Sequence, residues 1–113
     1  MLTLPIKKKW FDMIKSGEKK EEYRTRNDYY YTRFKKIVDN IENGEEQYIL
    51  LRNGYSSNSP TLKIKVDDIV IGGGREEWGF IGSEMCFIIK IAEVVTYDWD
   101  LETSQKLWIL LRN

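Results

Sequence analysis

Apolar residues recur at helical spacing in two segments of this 113-residue chain, and both lie before Gly44. In the first, Ile6, Trp10, Met13 and Ile14 form a stripe widened by Phe11, with Lys7, Lys8, Asp12 and Lys15 outside it. Gly17 supplies the left-handed residue that ends such a helix. In the second, Tyr30, Phe34, Ile37, Val38 and Ile41 recur up to the stop signal Asn43-Gly44, with Asn27 or Asp28 as N-cap. Elsewhere the apolar runs are short and read as strands. Leu2, Leu4 and Ile6 alternate with Thr3 and Pro5, and Pro5 confines that strand to an edge or its exit.

Tyr48 to Arg52 reads as a compact buried strand, and Leu62, Ile64 and Val66 alternate with Lys63 and Lys65. Ile69 to Ile71 prolongs that sheet past Asp67-Asp68 through a bulge. Cys86 to Val95 is the longest β-rich run, with Lys90 and Glu93 at positions expected to meet water. A helical turn is expected near residues 101–106 and a last strand at Leu107 to Leu111. Ile-Leu-Leu-Arg-Asn occurs at 49–53 and again at 109–113, but the flanks differ, so the two copies read as similar strands rather than a repeat. The expected fold is α+β in a single domain, residues 1–113. Two main helices in the N-terminal half would flank a curved or barrel-like sheet of five or six strands.

Composition narrows the chemistry. The chain has no histidine, which excludes Ser-His-Asp and Cys-His catalysis, zincin motifs and any histidine base. Cys86 is the single cysteine, so no intramolecular disulfide can form and no thiolate metal site can be built. Eighteen Asp and Glu leave ligands enough for a carboxylate-bound magnesium, but no spacing among them singles out a site, and no cofactor is implied. No apolar run approaches a membrane span or a secretion leader, so the expected location is cytoplasmic, with no membrane partner. Net charge is zero, yet residues 1–36 hold eleven Lys or Arg against five Asp or Glu. Such asymmetry is a feature of chains that meet nucleic acid at the basic end, and equally of halves that neutralise one another.

The densest polar chemistry is Gly17-Glu18-Lys19-Lys20-Glu21-Glu22-Tyr23-Arg24, a G-x-K-x-x-E-x-R pattern directly after the first helix. Arg24 can grip phosphate or carboxylate with two prongs, Lys19 is a compact mobile cation, and Glu22 can orient Lys19 or accept from a base amino group. On a strand Glu22 and Arg24 share one face. Lys19 joins them only if the turn after Gly17 re-aims it. The plain alternative is a solvated, salt-bridged strand whose pairs contribute no more than about 1 kcal/mol each.

Further candidates are aromatic or lie on loops. Tyr23, Tyr29, Tyr31, Tyr55 and Trp78 stand beside basic or polar residues where bases can stack, and Arg24, Arg26 and Arg33 can meet phosphates. Trp10 and Tyr30 read as packing residues. Arg52, Asn53 and Tyr55 end a strand in donors and a ring, although turn chemistry alone explains Asn53-Gly54. Gly72-Gly73-Gly74-Arg75 lacks the spacing of a phosphate loop and reads as a hairpin loop. Cys86 reads as a small core residue.

Several of these blocks resemble the ASCH domain, a branch of the PUA-like β-barrel superfamily. They are Leu4-Pro5-Ile6-Lys7, the Trp10-to-Ser16 helix, the Gly17-to-Arg24 motif, Arg52-Asn53-Gly54-Tyr55, and Phe87 to Ile91 with Glu93. The resemblance spans most of the chain and implies a small mixed barrel with a cleft that binds RNA, a nucleotide or a modified nucleoside. Ligand contacts would come from Lys19, Glu22, Arg24, Arg26, Arg52, Asn53, Tyr55 and Trp78. Some relatives in that family are amidohydrolases acting on N4-acetylcytidine, with the motif lysine as the activated group and a threonine three residues on. Others are reported as ribonucleases. Lys19 matches that lysine, but Glu22 stands at the threonine position, which tilts the expectation from catalysis towards binding. Whether the chain is an enzyme stays open at this point. If it is, it is a hydrolase with Lys19 and Glu22 as catalytic residues. A third reading is a protein-interaction module using the acidic stretch from Asp39 to Glu46.

Overall fold

The computed structural model describes residues 1–96. The helical turn and last strand expected after residue 100 lie outside them. The elements run β1 (Leu2–Pro5), α1 (Lys8–Lys15), β2 (Glu21–Arg24), α2 (Asp28–Glu42), β3 (Gln47–Arg52), β4 (Thr61–Gly72), a single 3₁₀ turn (Glu76–Trp78) and β5 (Cys86–Thr96). The five strands form one sheet in the order β1-β3-β4-β5-β2, which curls into a half-barrel. β1 pairs with β3 in parallel, and the other neighbours are antiparallel.

Local chemistry explains each element. α1 presses Phe11 and Ile14 into the core, and Gly17, at φ 85°, turns the chain back so that the Lys19 amide donates to Met13 O at 3.0 Å. α2 starts at Asn27, whose side chain accepts from the Tyr30 amide at 2.9 Å, and it buries Phe34 and Ile37. β4 passes through Asp67-Asp68 without a break, but its register against β5 shifts between Val66 and Asp68 and at two earlier points. Such irregularities bend a strand and strengthen its twist. Leu4, Ile14, Ile49, Leu51, Leu62, Ile64 and Ile89 are almost wholly buried in one core.

The edge strands β1 and β2 are the first and last in the sheet, yet the curl brings their C-terminal ends together. Arg24 on β2 donates from Nη2 to the carbonyl of Pro5 on β1 at 2.8 Å. Pro5 is tolerated because β1 is an edge strand, where a missing ladder donor is least costly. Among the described residues no helix is long and apolar enough to cross a membrane.

Candidate functional site

The turn after Gly17 settles where Lys19 points. Its side chain runs inward, 2% exposed, and Nζ lies 3.1 Å from Glu22 Oε1. The same ammonium donates to the main-chain carbonyl of Trp78 and sits over the Trp10 and Tyr23 rings, 4.8 and 4.9 Å from their centroids. Glu22, 5% exposed, uses its other oxygen to hold Arg24 Nη2 at 2.6 Å. Arg24 reaches from there to Pro5 O and, more weakly, to Tyr30 Oη at 3.4 Å. One carboxylate therefore bridges two basic groups. A solvated strand is excluded, because both Lys19 and Glu22 are buried.

These surroundings set the ionisation. Burial is the main influence on Lys19 and lowers its pKa from the usual lysine range; Glu22 opposes this and Arg24 adds to it. Burial also works against the Arg24 charge, but Glu22 and Tyr30 outweigh it and hold the guanidinium above its ordinary value. The Tyr23 phenol is pushed up to about 12, chiefly by burial and further by Glu21, with the Arg75 amide opposing. It therefore stays protonated at neutral pH and donates to Glu21 Oε1 at 2.8 Å while accepting from the Arg75 amide at 2.9 Å.

Two contacts tie the loop from Gly73 to Met85 down over the motif: Tyr23 holds Arg75 and Lys19 holds the Trp78 carbonyl. The approach is close at Gly74, where an added Cβ would fall 2.4 Å from Tyr23 Cζ. Because Tyr23 is fixed through its hydroxyl, Gly74→Ala is expected to cost about 1–3 kcal/mol through overpacking. At Gly73 an added Cβ would meet nothing closer than 3.9 Å. Denaturant unfolding of the two alanine variants checks this: Gly73→Ala should stay near wild type, and equal losses would contradict it.

Above the cluster opens a cleft of about 540 Å³ whose walls include Trp10, Lys19, Glu22, Arg24, Tyr30 and Trp78. Lys7, Tyr23, Thr25 and Ile81 also line it. Lys19, Glu22, Arg24 and Trp78 thus line one cleft. Arg26 does not share this cleft and lies exposed in an adjoining basin. Arg52, Asn53 and Tyr55 do not line this cleft. Arg52 stands opposite Pro5 in the sheet, with a buried Nε that has no partner. Asn53 donates to the Ile6 carbonyl at 3.0 Å and so fixes the chain leaving β1, while Tyr55 is 95% exposed on its loop. Arg33 stacks at 3.5 Å over Tyr29 and faces a different depression, beside Lys36 and Tyr48. Cys86 is half-buried at the rim of the adjoining basin rather than in the core.

Trp10 and Tyr30 pack against the core and also wall the cleft, a double role that periodicity does not reveal. Ile81 carries no sequence signal at all; only the loop's path brings it to the site. No protein-family model matches the chain, and no curated protein or solved structure matches it at a significant level.

Proposed function

We propose that this chain is an ASCH-type, PUA-like domain of the cytoplasm that binds single-stranded RNA or a nucleotide in the cleft above Lys19, Glu22 and Arg24. One observation carries the reading: aromatic side chains and the buried Lys19–Glu22–Arg24 cluster line the same concave site. Trp10, Tyr30 and Trp78 line the cleft, and a base that stacked on one of them would gain about 1–3 kcal/mol. Arg24 and the exposed Lys7 offer charge to phosphates, and the surplus of cations in residues 1–36 favours the approach of a polyanion. A mobility-shift series with single-stranded RNA at low salt tests the reading. A retarded band that weakens as salt rises supports it. No retardation at low salt removes it.

The lowered pKa of Lys19 favours a second reading, a small hydrolase acting on an N4-acetylcytidine-type amide or on RNA. A lysine base needs its pKa brought down towards roughly 7–8. The geometry resists it, because Nζ is sealed between Glu22, the Trp78 carbonyl and two rings. Chemistry at Lys19 would require the Trp78 segment to lift away. Turnover of either substrate that persists unchanged in Lys19→Ala would overturn this second reading.

A further inference from the structure

The cleft has a neighbour on the β2 side. A second basin of about 640 Å³ adjoins it, and the two share Tyr23, Arg24, Thr25, Gly79 and Ile81. Each basin alone falls within the roughly 300–1,000 Å³ that takes one small ligand. Between them runs a ridge formed by the end of β2 and the residues after it, where Thr25 and Arg26 are exposed. Arg26 is absent from every salt bridge among the described residues. The second basin differs in character. Phe80 meets Tyr23 edge-on at 6.0 Å, and the rim carries the apolar side chains of Ile81 and Met85, 92% and 59% exposed. Among the described residues, Glu84 is the only acidic one on its wall.

We propose that the two basins form one groove, and that its ligand is an extended single strand of several nucleotides rather than a lone nucleoside. This rests on the RNA-binding reading above. One base lies in the aromatic cleft, the sugar-phosphate backbone crosses the ridge beside Arg24 and Arg26, and the next base enters the second basin against Phe80, Ile81 and Met85. A nucleoside fills the first basin and leaves the cation at Arg26 and the apolar rim unused. The order of the parts fits a strand: ring-lined hollow, cationic ridge, apolar hollow. A protein segment fits it less well, because the ridge between the hollows presents the exposed Arg26 guanidinium rather than main-chain partners.

Competition against a fluorescent hexauridylate, read by anisotropy, tests the proposal with uridine monophosphate and tetrauridylate as competitors. The tetramer should bind roughly tenfold or more tighter than the monomer, from added stacking. Arg26→Ala, an exposed substitution that spares the fold, should weaken the tetramer and reduce its salt slope by about 0.7. The same variant should leave the monomer unchanged. Equal affinity for monomer and tetramer, or an Arg26→Ala effect of the same size on both, overturns the single groove while leaving the RNA-binding reading intact. Failure of the hexauridylate itself to bind removes both. Competition by an acidic hexapeptide but not by tetrauridylate assigns the groove to protein and also overturns the proposal.

Discussion

Replacing Glu22 with alanine should destabilise the protein by about 3–5 kcal/mol, the range found when one partner of a buried ion pair is removed. Glu22 neutralises two cations at once, holding Lys19 at 3.1 Å and Arg24 at 2.6 Å. Without it, two positive groups face each other beneath Trp78, away from water. The loss also reaches the sheet, because Arg24 would no longer be steered towards Pro5, the contact that ties the edge strands together. Chemical denaturation of Glu22→Ala, compared with Glu22→Gln, measures this. The glutamine keeps hydrogen-bonding atoms but not the charge, so its loss should be smaller than alanine's. A loss below about 1 kcal/mol for Glu22→Ala would mean that the cluster behaves like an exposed ion pair.

The second large effect belongs to Lys19. Lys19→Met keeps most of the stem's volume but leaves the Trp78 carbonyl without its donor, and an unmet buried polar group costs about 1–3 kcal/mol. Glu22 retains Arg24 in this variant, so no charge is stranded. Lys19→Met should therefore cost less than Glu22→Ala. Its effect should be local as well. The amides of Trp78 and Gly79, bonded within the 3₁₀ turn to Arg75 O and Glu76 O, should exchange with solvent faster once the loop loses this tie. Unchanged exchange at Trp78 and Gly79, or a Lys19→Met loss exceeding that of Glu22→Ala, would contradict the picture of a lysine that holds the loop.

The sequence made legible what short-range physics decides. Helical spacing located both helices, Gly17 marked the end of the first, and Asn27 capped the second. Asp67-Asp68 marked a register irregularity in β4. The motif announced three polar residues but not their burial, because the burial of Lys19 depends on a loop about sixty residues away that folds over it. The reach of Arg24 to Pro5 was hidden for a similar reason. It exists only because strands distant in the sheet order meet as the sheet curls. Arg52, Asn53 and Tyr55 lie away from the cleft, and the sequence could not tell this because donors and a ring at a strand end look alike whether they face a ligand or brace a turn. Asn53 braces the segment after β1, and Tyr55 faces solvent.

The proposed ligand, a single-stranded RNA, would lie in the cleft over the Lys19–Glu22–Arg24 cluster. Photo-crosslinking with 4-thiouridine-substituted RNA, followed by peptide mass spectrometry, tests that placement most directly. The adducts should fall on Trp10, Tyr23, Tyr30 or Trp78, or on Phe80 and Met85 in the adjoining basin. Adducts confined to the depression beside Arg33, Lys36 and Tyr48, or to the exposed Tyr55 loop, would contradict it.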